Sequence, residues 1–179
     1  GSISFGCALV AGRKRVPRPA AGITASIIVG IVSSIGIILL SPTMYELYGL
    51  DPLAAPIPLK NPGQYRSVSA FAPICSPTRC PWGEKAFANY FGEDRAAWEA
   101  HDASLLVAKA VEQLPTLVDQ GEADGFLAAQ LRPELLVHSA QAAGYPLRLR
   151  MQPGYDHSYF FIASFIGEHI AFHAEHLHD

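Results

Sequence analysis

Charge and cysteine are both scarce in this chain of 179 residues. Only 16% of the residues are Asp, Glu, Lys or Arg, and the formal net charge is -3. Without a cationic excess there is no electrostatic reason to expect a nucleic-acid partner. The three cysteines, Cys7, Cys75 and Cys80, are odd in number and do not make a disulfide framework. Four residues separate Cys75 from Cys80, so no CxxC occurs and zinc is not expected. Buried free thiols in a reducing compartment are the expectation. No internal repeat is visible. Apolar residues, by contrast, make up half of the chain, and its length allows one domain with a sizeable core.

Composition divides the chain near Leu59-Lys60, into an atypical segment 1–58 and a segment 59–179 that reads as an ordinary α/β protein. From Pro19 to Tyr45 there is no charged residue, and Gly22 to Leu40 is almost wholly apolar or small. Arg13, Lys14, Arg15 and Arg18 flank that run. An apolar stretch of about 20 residues beside a basic flank is what a membrane-spanning helix requires. Ile and Val dominate, however, and Gly30 and Gly36 interrupt the run, so a pair of buried parallel strands is an alternative. A third reading makes residues 1–58 the product of a shifted frame or an alternative exon.

Segment 59–179 alternates strand and helix signals. Tyr65 to Ile74, Leu114 to Asp119 and Leu147 to Met151 read as strands. Glu84 to Phe91, Asp94 to His101, Ala128 to Ala143 and Ser158 to His176 read as helices, the third stopping at Gly144. This order predicts a mostly parallel sheet covered on both faces, with functional groups in loops beyond the strands' C-terminal ends.

Two residues stand at such ends. Asp124 follows the second strand and His157 the third. A loop histidine fixed by its scaffold suits a general base. A carboxylate accepting its Nδ1 proton would fix the tautomer and stabilise the imidazolium. Acid before base is also the order of an α/β-hydrolase triad after its nucleophile. Asp119, Glu122 and Asp156 compete for the acid's role. Asp119 is expected to cap the turn after its strand, Glu122 to be solvated, and Asp156 to point away from its neighbour His157.

The phrases LKNPGQYRSVSAFAPICSP, CPWGEKAF, LVDQGEADGFL and LRMQPGYDHSYFFIASFIGEHIAFHAEHL resemble the C-terminal part of S-formylglutathione hydrolase, also called esterase D, over about residues 59–177. The resemblance implies an α/β-hydrolase fold, here the C-terminal half of a mostly parallel sheet flanked by helices. It implies a cytoplasmic serine thioesterase that converts S-formylglutathione to glutathione and formate in formaldehyde detoxification. Asp124 would be the triad acid, His157 the triad base, and Trp82 a residue shaping the pocket. No cofactor is implied. The partners implied are a small thioester or ester substrate and, as an open alternative, a second copy in a homodimer.

The family's nucleophile elbow does not occur in this chain. Its serine should fall at Tyr48, within Glu46-Leu47-Tyr48-Gly49-Leu50-Asp51, and nothing there forms G-x-S-x-G. Tyrosine, with an ordinary pKa of about 10, is a poor substitute. Ser34 has only the second glycine of the motif, and Ser41 precedes Pro42. The nucleophile is therefore unassigned, and an inactive fragment or a membrane-anchored remnant of the fold is the alternative. His169, His173 and His176 fall at i, i+4 and i+7 near the C-terminus. No cysteine or well-spaced carboxylate completes a metal site, so a solvated terminal helix is expected there.

Overall fold

The computed structural model describes residues 26–30, 37–41 and 57–176. Their strands form one sheet in the order β1-β2-β3-β4-β5, from Ser26–Gly30, Ile37–Ser41, Val68–Phe71, Thr116–Gly121 and Leu147–Gln152. β3, β4 and β5 run parallel, as the alternation of strands and helices predicts. β1 and β2 pair antiparallel with each other, and β2 pairs antiparallel with β3. The apolar run 22–40 thus contains two strands rather than a membrane-spanning helix, and they are antiparallel where a parallel pair was the alternative. No described helix is long and apolar enough to cross a membrane.

Side-chain alternation along β3 assigns the two faces of the sheet. Val68 and Ala70 join one core with Val107, Val118, Leu136 and Tyr145. Two helices, α4 (Ala103–Val107) and α5 (Pro133–Ala143), cover that face. Ser67, Ser69 and Phe71 point the other way, toward α6 (Tyr159–Glu175). Phe71 and Phe161, both fully buried, meet edge to face at 5.5 Å between ring centres. Such a pair adds about 0.5–1.5 kcal/mol beyond its area burial.

The remaining helices begin and end where local chemistry satisfies their termini. The short α1 (Ile57–Lys60) leads toward β3. In α2 (Pro81–Phe91), Cys80 Sγ caps the first turn by accepting from the Gly83 N–H, and Gly92 at φ 60° stops the last. Asp94 caps α3 (Arg95–Glu99), and Asp102 caps α4, each accepting two backbone N–H groups. The helix expected over 128–143 is broken. Leu127–Leu131 forms one π-helical turn, Arg132 is left-handed at φ 48°, and α5 restarts at Pro133. Proline has no N–H to donate and keeps the preceding residue out of the α region, so a continuous helix cannot pass through Arg132-Pro133.

The terminal helix is not solvated on the face that carries its histidines. Phe161, Phe165, His169 and His173 lie four residues apart in a single row. His169 and His173 are fully buried, whereas Ile170 between them is exposed. Cys75 and Cys80 are free and buried, and burial raises both thiol pKa values.

Candidate active site

Asp124 and His157 arrive from neighbouring strands. β4 and β5 are in register up to Gly121↔Gln152, and the loops that carry Asp124 and His157 leave immediately after. The Glu122 N–H donates to Gln152 O and the Ala123 N–H to Tyr155 O, both at 3.0 Å, so one loop is laced to the other. Gly121 lies under the crossing. A Cβ there would sit 2.2 Å from Tyr155 O and 2.8 Å from Tyr155 C, both backbone atoms, so only glycine permits the approach. The loops then continue to Asp124 and His157, whose Nδ1 and Oδ2 are 2.7 Å apart.

The Asp124 carboxylate is held from three sides. Oδ1 accepts from the Phe126 N–H at 2.8 Å, and Oδ2 accepts from Gln120 Nε2 at 3.2 Å as well as pairing with His157. Its side chain is fully buried, and that of His157 is 14% exposed. A carboxylate can only accept, so Nδ1 carries a proton here and, in the neutral ring, Nε2 is left as the basic nitrogen. Gln120 also donates to Gly121 O, so both partners of its amide are acceptors and fix which end is NH₂. The arrangement supplies a base with a fixed tautomer, a buried counter-charge and limited access to solvent.

An aromatic wall stands beside the base. Phe126 meets the His157 ring edge to face at 5.3 Å, and Trp82 leans on Phe126 at 4.6 Å. Both aromatic side chains remain partly open to solvent. Trp82 belongs to the first turn of α2, and its backbone N–H donates to Gln130 Oε1 on the π-helical turn. Gly83 allows that helix to start against backbone, since a Cβ there would sit 2.1 Å from Pro77 O. The structure therefore brings Trp82 toward His157 by way of Phe126, a residue that sequence reasoning did not select.

Of the competing carboxylates, Glu122 and Asp156 are exposed. Asp119 does not cap a turn, contrary to expectation. It is fully buried on the α6 side of β4 and takes both prongs of the Arg150 guanidinium, at 2.5 and 2.6 Å. His169 Nε2 approaches Oδ2 at 3.3 Å but is misaligned for a hydrogen bond. Burial works to raise the Asp119 carboxyl, yet the contacts of His169 and Arg150 outweigh it, and the group titrates below its usual range. Gln120 is a second residue missed by sequence reasoning. Its signal would have been its place on β4, four residues before Asp124 on the same chain direction.

Tyr48, where the family's serine should fall, and Ser34 lie outside the described residues, and Ser41 is the last residue of β2. Among the described residues no group of three or more His, Cys, Asp or Glu side chains is placed to hold a metal ion.

The model of the family described as putative esterase matches residues 54–172. This chain belongs to that family. Among solved structures it is similar to an S-formylglutathione hydrolase from Agrobacterium tumefaciens, with 46% identity and a TM-score of 0.66. The likeness covers 69% of this chain and 45% of that one. The esterase chain therefore spans less than half the length of that hydrolase. Its sheet, parallel over β3–β5 and flanked by helices, is the C-terminal part of an α/β-hydrolase fold.

Proposed function

We propose that this esterase-family chain carries the acid–base part of a serine thioesterase site, with His157 as general base and acid and Asp124 as its orienting carboxylate. The substrate proposed is S-formylglutathione, released as glutathione and formate, as in the detoxification of formaldehyde. The observation that carries the reading is the 2.7 Å contact between His157 Nδ1 and a buried carboxylate at the ends of adjacent parallel strands. In the reaction, Nε2 takes the proton of a serine hydroxyl as the oxygen attacks the thioester carbonyl. The imidazolium then gives that proton to the departing glutathione thiolate. Water enters, Nε2 takes its proton, and the resulting tetrahedral species collapses to formate, the proton returning to the serine. Asp124 stays ionised throughout and holds the ring.

The serine is proposed to come from outside the described residues. The test is turnover of S-formylglutathione and of a small chromogenic acyl ester, together with labelling by a fluorophosphonate. Turnover and labelling that vanish in His157→Gln support the reading. Well-folded protein that shows neither sinks it for this chain and favours an inactive form of the fold. That second reading draws on the lack of any G-x-S-x-G in residues 1–179.

A further inference from the structure

The ion cluster beneath α6, built on the buried Asp119, takes no part in the proposed proton transfers, yet it touches β4, β5 and α6, the elements on either side of His157 and Asp124. Asp119 and Arg150 are register partners on β4 and β5. Each strand continues directly into one of the two functional loops. Arg150 Nη1 also pairs with Glu168, and His169 packs face to face on Phe71 at 3.8 Å with Nε2 beside Asp119. Glu168 and His169 belong to α6, whose first residue follows His157 by two positions. The His157 loop is therefore held at both ends by one cluster, through Arg150 on the strand before it and Glu168 and His169 on the helix after it.

We infer that Arg150 is a positioning residue, whose bidentate pairing with Asp119 and third contact to Glu168 set where His157 meets Asp124. The inference rests on the reading of Asp124 and His157 as an acid–base pair. A planar fork suits the task. Two prongs on one carboxylate fix the angle between the strands, and the remaining nitrogen reaches the helix. Lysine would keep the charge but, with a single ammonium, could not hold both carboxylates in fixed directions. The core on the other sheet face has its own apolar packing and does not cross to this cluster.

The test reads the pair directly. In the full chain with ¹⁵N-labelled imidazoles, the proton on His157 Nδ1 is assigned by its disappearance in His157→Gln. Arg150→Met and Arg150→Lys are expected to shift that resonance upfield or lose it to exchange with solvent. Leu136→Ala, which loosens the opposite core, is expected to lower stability and leave it in place. Should Arg150→Met not fold, Glu168→Gln, which removes the charge of the exposed partner alone, is expected to give a smaller shift in the same direction. A resonance present in the unaltered chain but unmoved in the Arg150 variants, or in Glu168→Gln where Arg150→Met does not fold, overturns the positioning role and leaves the acid–base pair standing. Equal movement in Leu136→Ala overturns it too, since any loosening would then suffice. A resonance missing from the unaltered chain overturns the pair itself, and the inference with it.

Discussion

Replacing Gly121 by alanine tests how the two functional loops are held together. The added Cβ would meet Tyr155 O at 2.2 Å, whereas ordinary contact begins at 3.4 Å. Neither partner is a flexible side-chain end, so the shortfall of 1.2 Å falls on backbone. Moving Tyr155 O away would stretch its hydrogen bond from the Ala123 N–H, now 3.0 Å. It would also displace His157, two residues further along. Overpacking of this kind costs about 1–3 kcal/mol. A displacement of about 1 Å at a catalytic group lowers turnover roughly 10²-fold. Urea denaturation should show a lower midpoint with an unchanged slope, and hydrolysis of a chromogenic acyl ester should fall in kcat. Gly125→Ala is the control, because a Cβ at that position meets nothing within 4 Å. If the two variants match each other in both midpoint and kcat, the crossing at Gly121 does not hold the site, and the reasoning fails.

Three further outcomes are expected. Asp124→Asn should keep the fold but lower kcat by about 10⁴-fold, because an amide can donate to Nδ1 and so leave the wrong tautomer; acyl-ester kinetics measure this. Asp119→Asn should destabilise by about 1–3 kcal/mol in urea, since it leaves the partly buried Arg150 with the exposed Glu168 as its remaining counter-charge. The native Asp119 carboxyl titrates below its ordinary 3.8. Its contribution is therefore complete above that value and is lost as pH falls through the lower folded one, a slope that acid denaturation of Asp119→Asn should lack. Gly167→Ala, on the exposed side of α6 with open space around the new Cβ, should raise stability by about 0.5–1 kcal/mol in thermal melts.

The Asp124–His157 pair was legible because loop position after a strand is a property of sequence order, and parallel strands bring successive loop ends together. The Asp119–Arg150 cluster was not. Asp119 sits at the end of an apolar strand run and looked like a turn residue, since nothing local shows that Arg150 lies opposite it. The α6 face was misread for a related reason. Histidine counts as polar in a hydropathy pattern, yet His169 stacks on Phe71, and His173 is bracketed by Ser67 and Ser69 hydroxyls at 2.7 and 2.8 Å. Counted as apolar, they extend the row begun by Phe161 and Phe165. The strands within 22–40 were legible as an alternative, through Ile, Val and the break at Gly30, but nothing local set their pairing as antiparallel.

Among the described residues β5 has a neighbour on one side only, which leaves a row of backbone groups open to any other extended chain. Its sequence answers that hazard. Arg148 and Arg150 place cations on alternate positions, and Pro146 and Pro153 bracket the strand with residues that cannot donate. A cationic strand closed by prolines is a poor template for a second copy of itself. Arg150 is taken up by Asp119 and Glu168, so the exposed Arg148 and the two prolines are what make this rim unfavourable for a further strand.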